Sequence, residues 1–116
     1  RVAANGDVVN KIGTYMLSLA AHANRVPVIC VFPLSTLDLT ESNGDNILIE
    51  ERLQEEVLGI TYQGQAVTPA AAQALNPAFD ITPHELISAW VTERGIIYPP
   101  FDRNLAQVGY NTRLDR

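Results

Sequence analysis

Between residues 8 and 23 the apolar positions Val8, Val9, Ile12, Met16, Leu19 and Ala23 recur at helical spacing. The pattern predicts a helix that buries this face, with Asp7 as its N-cap and Asn24-Arg25 as its exit. Gly13 falls inside that helix, where glycine costs about 1 kcal/mol against alanine. It marks close packing on a neighbour, close approach of a ligand, or a tolerated position. Residues 26–32, VPVICVF, form an unbroken β-branched and aromatic run, expected to be a strand buried on both faces and hence part of a parallel sheet. A helix followed by a buried strand is half of a Rossmann-like unit. The predicted fold class is therefore α/β, a Rossmann-like parallel sheet flanked by helices. Only Arg1 to Ala4 precede the loop that opens the helix, so the sheet is expected to be truncated at its N-terminal strand.

After Pro33 the segment LSTLDLTESNGDN reads as a long loop with a turn near Asn43-Gly44. Ile47, Leu48 and Ile49 predict a short strand leading into Glu50-Glu51-Arg52. Glu55 to Leu58 then passes to Ile60-Thr61-Tyr62 and a turn at Gln63-Gly64. Residues 67–75 are alanine-rich but bracketed by Pro69 and Pro77, and support no assignment. ITPHELISAWVTERG carries the most complete local signal: Thr82 and Glu85 form a capping box, Pro83 suits the first helical position, and Gly95 ends the helix. Leu86, Ile87, Trp90 and Val91 would be its apolar stripe. Ile96, Ile97 and Tyr98 predict a last strand halted by Pro99-Pro100, with an amphipathic, then polar and extended, tail that frays beyond Gly109.

At 116 residues the chain is one domain or part of one, and 47% hydrophobic with 18% charged residues is the composition of a folded protein. A net charge of −5, with eight scattered Lys and Arg, argues against nucleic acid as a partner. The longest apolar run is well short of the ~20 residues a membrane span needs. One cysteine, Cys30, leaves no internal disulfide; it suits a reducing compartment and reads as a buried structural thiol.

The candidate chemistry lies at the start of the first helix. A cation in a first helical turn is electrostatically misplaced unless an anion compensates it, so Asn10 and Lys11, beside the free amides of that turn, point to a phosphate-type ligand. Asp7, Asp38, Asp80 and Asp102 are candidate acids or bases, each also explained by a cap, turn or loop. His22 and His84 have no Cys, His or carboxylate at metal-ligand spacing, and no phosphate-loop, GxSxG or GxGxxG motif is present.

Taken in order, VAANGDVVNKIGTY, PLSTLDL, IEER and NPAFDITPHELISAWVTERG closely resemble the C-terminal part of the S-methyl-5-thioribose-1-phosphate isomerase family, from Arg1 to about Phe101. Its superfamily includes regulatory subunits of translation initiation factor 2B and ribose-1,5-bisphosphate isomerase, which share the NG and NKIGT-like portion. The stretch from PLSTLDL to NPAFD looks like the methylthioribose branch. The resemblance implies aldose-to-ketose isomerisation of a phosphorylated thio-sugar in methionine salvage, by a cytoplasmic homodimer without a metal or organic cofactor. It maps the substrate-binding Asn-Lys pair of NKIGT onto Asn10 and Lys11. It also implies that no catalytic residue lies in this chain. The acid/base aspartate belongs to a Gly-Ala-Asp-Arg block whose arginine matches Arg1, so it falls just before Arg1; the catalytic cysteine falls farther upstream and does not match Cys30. Residues 1–116 are then the C-terminal portion of the substrate-binding domain, the N-terminal domain being absent. The partners expected are the thio-sugar phosphate, the missing N-terminal part and a second copy, with neither nucleic acid nor membrane. The alternative is a non-catalytic regulatory subunit that binds a sugar phosphate or nucleotide and protein partners.

Overall fold

The computed structural model describes residues 1–109. The chain opens with β1 (Val2–Ala3) and β2 (Val8–Lys11), followed by helix α1 (Thr14–Ala23), β3 (Ile29–Val31) and β4 (Leu37–Asp38). A loop-rich segment carries the short helix α2 (Glu55–Leu58) and the hairpin strands β5 (Thr61–Tyr62) and β6 (Gln65–Ala66). The chain returns through β7 (Phe79–Thr82), β8 (Ala89–Thr92), β9 (Gly95–Ile97) and α3 (Phe101–Asn104). This is a mixed α/β fold. One sheet has the order β4-β1-β2-β7, in which β1 and β4 run parallel and the other pairs antiparallel. A second has the order β3-β8-β9, with β3 parallel to β8 and β9 antiparallel to it.

Two cores form because consecutive residues of β1 and β2 point to opposite faces of the sheet. Val2 and Val8 join Leu34, Ile87, Trp90, Ile97, Phe101 and Leu105 on one side. Ala3 and Val9 join Ile47 on the other, with Ile81 packed against them. Trp90 stacks on Phe101 at a centroid distance of 4.2 Å and meets Phe32 edge-on at 5.3 Å. Burying side chains of this size contributes about 1.5–3 kcal/mol each. The β1–β2 turn rests on this stack: Gly6 has φ 104°, and a Cβ there would lie 2.5 Å from Phe101 Cδ2. Only glycine suits that backbone and that space.

Several expected elements are different. The helix begins at Thr14, not Val8, because Val8 and Val9 are β-branched, alternate between the two cores and pair with Thr82 and Ile81. Asp7 is consequently not its N-cap. Gly13 is the N-cap, at φ 105° with open space around it, so its conformation rather than packing accounts for the glycine. The expected buried face of α1 lies open: Ile12, Met16 and Leu19 are exposed, and Ser18 is the helix residue that is buried. β3 pairs in parallel as expected, but it is an edge strand with Ile29 and Val31 exposed and Cys30 turned to the core.

The helix read from the capping box is absent. Thr82 ends β7, Pro83 takes an extended ψ of 141°, His84–Leu86 makes one tight 3-10 turn, and Trp90 and Val91 lie in β8. Two long-range ladders, β2–β7 and β3–β8, outweigh the local helical signal, and Thr82 Oγ1 is buried without a hydrogen-bond partner among the described residues. Ile47 closes a turn and plugs the smaller core rather than starting a strand. The turn at Gln63-Gly64 and the strand at Ile96-Ile97 are present. Among the described residues no helix is long and apolar enough to cross a membrane. The tail beyond Gly109 lies outside them.

Candidate functional site

Asn10 and Lys11 occupy the exposed end of β2, opposite Asp80 and Phe79 of β7. Neighbours on a strand face opposite ways. Asn10 lines a cavity of about 360 Å³ between α1, β2 and β3, whose polar edge also includes Arg1, Thr14, Ser18 and Thr36 and whose walls are apolar. Lys11 lies outside that lining, within electrostatic reach of Glu56. The Glu56 carboxyl is held below its ordinary range, first by its hydrogen bond from Arg52, then by the Asn76 amide and the charges of Arg52 and Lys11.

Two of the amides at the start of α1 are already taken, those of Gly13 and Tyr15. Asp80 accepts from Gly13 N–H at 2.8 Å and from Tyr15 N–H at 3.2 Å. Lys11 is therefore a strand-end cation and not a first-turn one, and the anion at the helix terminus is supplied by β7. Thr14 Oγ1 donates to the Lys11 carbonyl at 2.7 Å, and Ile12 N–H donates to Ala78 O at 3.1 Å, so the backbone around Lys11 is tied on both sides.

The other carboxylates are structural. Asp7 is buried and accepts from Gly44 N–H at 3.0 Å, His84 N–H at 2.9 Å and, at 3.0 Å, the His84 ring. Burial pushes its carboxyl up, but the bonds from Gly44, Asn5 and His84 outweigh that and leave it below the ordinary value. It joins the β1–β2 turn to two distant loops. Gly44 has no room for a side chain there, since a Cβ would lie 2.6 Å from Ile81 Cγ2. Asp38 accepts from Thr40 and pairs with Arg1. Asp102 accepts from Arg103 N–H in the first turn of α3, and His22 sits in the last turn of α1. Asp7, His84 and Glu85 bring ligand-type atoms within 4.8 Å of one another, but the Asp7 oxygens are used by protein donors. Burial raises the Cys30 thiol, so it is a thiol packed on the core rather than a nucleophilic thiolate.

Residues 1–99 match the initiation factor 2 subunit family. The chain belongs to that family. Among its relatives, a methylthioribose-1-phosphate isomerase from Synechococcus sp. is 54% identical over 111 residues, which is 96% of this chain and 31% of that protein. One from Fervidobacterium nodosum is 48% identical over 93% of this chain and 30% of its own. The crystal structure of 5-methylthioribose 1-phosphate isomerase from Pyrococcus horikoshii is 46% identical, with a TM-score of 0.84 over 94% of this chain and 30% of that one. Translation initiation factor eIF-2B subunit delta from A. fulgidus is 36% identical, with a TM-score of 0.83 over 93% and 31%. The chain thus spans about 30% of the length of these family members.

Asp80 is among the candidate carboxylates on sequence grounds, but as a residue just before the expected helix start at Thr82 rather than as the cap of α1. Nothing near it in sequence signals that role, because Gly13 and Asp80 come together only through the β2–β7 ladder.

Proposed function

We propose that the whole protein is an aldose–ketose isomerase converting S-methyl-5-thioribose 1-phosphate to S-methyl-5-thioribulose 1-phosphate in methionine salvage, and that this chain holds part of its substrate site. The observation that carries this reading is the likeness at 46–54% identity to proteins named as that isomerase, spanning nearly all of the chain. Asn10 at the cavity edge supports it, and Lys11, although outside the cavity lining, supplies an exposed cation at the same strand end for a phosphate dianion. Isomerisation moves a proton between adjacent carbons, which needs a positioned acid and base. In our reading these are the aspartate just before Arg1 and the upstream cysteine, both in the remainder of the protein. Arg1 lines the same cavity as Asn10, so the residue preceding it would enter the fold beside that cavity.

The same reading makes the chain the C-terminal portion of a Rossmann-like domain. The free edge of β3 would continue into a parallel strand of the remainder, and the intact protein would be a cytoplasmic homodimer without metal or organic cofactor. The test is turnover of S-methyl-5-thioribose 1-phosphate followed by NMR. The full-length protein is expected to form the ketose and the 116-residue chain alone to form none. A folded full-length protein that leaves the substrate unchanged would overturn the proposal.

A further inference from the structure

β7 carries one carboxylate that the proposed chemistry does not use. Asp80 stands opposite Asn10 in the β2–β7 register, and both its oxygens lie 3.2 Å from Tyr15 N while one takes the Gly13 N–H at 2.8 Å. α1 has no cap of its own: its N-cap is a glycine, and its first turn holds no acidic residue. A carboxylate there satisfies amides the helix leaves unpaired and complements the positive end of its dipole. Asp80 does this from a strand 67 residues away in sequence, directly across the ladder from the pair proposed to hold substrate.

The arrangement has two consequences. First, the turn from Lys11 to Thr14 is clamped: Ile12 N–H is bound by Ala78 O, the Lys11 carbonyl by Thr14 Oγ1, and Gly13 N–H by Asp80. With Gly13 at φ 105°, loss of its bond to Asp80 would free the one residue in the turn able to rotate widely. Second, Asp80 takes the Gly13 and Tyr15 amides and places a like charge at the helix terminus, which disfavours a phosphate there. The ligand's anion is then left to the side chains at the end of β2.

We infer that Asp80 is a positioning residue: by capping α1 across the sheet it fixes where β2 ends and hence how Asn10 and Lys11 are presented to the sugar phosphate. This rests on the reading that Asn10 and Lys11 hold substrate. The full-length protein is assayed as the parent and as Lys11→Ala, Asp80→Ala and Asp80→Glu, with KM, kcat and Tm measured for each. Asp80→Glu keeps the charge and a foldable side chain but misplaces the carboxylate by one methylene.

Displacements of that order cost up to about 100-fold in optimised sites. The expected result is a KM raised about tenfold by Asp80→Ala and about threefold or more by Asp80→Glu, with kcat within about twofold of the parent, the pattern of lost ground-state binding. Combining Asp80→Ala with Lys11→Ala should raise KM less than the product of the separate effects, since both act through one contact. A KM unchanged in a folded Asp80 variant, while Lys11→Ala raises it, would overturn the inference and leave the substrate reading standing. A KM unchanged in Lys11→Ala would instead remove the reading on which the inference rests.

Discussion

The two sides of β8 and β3 are finished differently. Around Trp90, which is 0% exposed, stacked rings and eight buried side chains form a core closed by the chain's own residues. On the side of α1 and β3, Met16 is 74%, Leu17 72% and Val31 76% exposed, beside a cavity of about 360 Å³. Exposed apolar residues also occur in the loop-rich segment, Leu48 and Leu75 among them, but only on the α1 and β3 side do they border a cavity; contiguous apolar surface of that kind marks an interaction site. The family members it matches are about three times as long, and in the proposed reading the remainder of the protein covers this face. The comparison teaches that the closed core and the open face share a wall, since Val2 and Val8 belong to the core and also line the cavity; in the proposed reading the open face is the one that holds ligand.

The largest effect separating the two regions is expected from truncation. Trp90→Ala should cost about 3–5 kcal/mol, whereas Leu17→Ala in this chain should stay within about 0.5 kcal/mol. Urea denaturation checks both. The contrast sharpens if Leu17→Ala costs about 2 kcal/mol or more in the full-length protein, and breaks if it is neutral in both.

A middle-sized effect is expected at Asp7. Its folded carboxyl lies below the ordinary range, so its contribution is fully present above the unfolded value and is lost as pH falls through the folded one. Unfolding free energy should therefore fall on acidification from the ordinary carboxylate range downward, and Asp7→Asn should flatten that slope while lowering stability at neutral pH by about 1–3 kcal/mol. An identical pH profile in the variant would show that Asp7 does not carry the linkage.

The smallest effect is colloidal. Val31→Lys on the open edge of β3 should reduce self-association of the isolated chain while changing its stability by less than about 0.5 kcal/mol. Sedimentation velocity of the two proteins reads this directly.

How far the chain was legible follows the same division. The proposed ligand residues, Asn10 and Lys11, came from their expected place in a first helical turn and from the resemblance. That logic placed Lys11 in a helix, whereas it ends a strand. Helical spacing at Val8, Ile12 and Met16 describes the chain equally well when Val8 and Val9 belong to two opposed cores, and only the pairing with β7 separates the readings. The capping-box stretch failed for the same reason: Thr82, Glu85 and Gly95 satisfy helix rules locally, while Trp90 and Val91 gain more from the ladders with β3 and β9. Where partners are near in sequence the reading holds better: the turn at Gln63-Gly64 is present, though the β5–β6 hairpin around it was not expected, and the last strand falls at Gly95–Ile97, one residue earlier than expected. Asp7 and Asp80 were identified as candidate carboxylates but not as the hub and the distant cap they form, because each acts on residues 37 or more positions away.

The central claim is that the exposed end of β2 holds the substrate phosphate through Lys11. The most direct measurement is kcat/KM for S-methyl-5-thioribose 1-phosphate in the full-length protein and its Lys11→Ala variant, with Tm recorded alongside. A charge-assisted contact predicts a fall of about tenfold or more, carried by KM, at unchanged Tm. An unchanged kcat/KM in the folded variant would contradict the account.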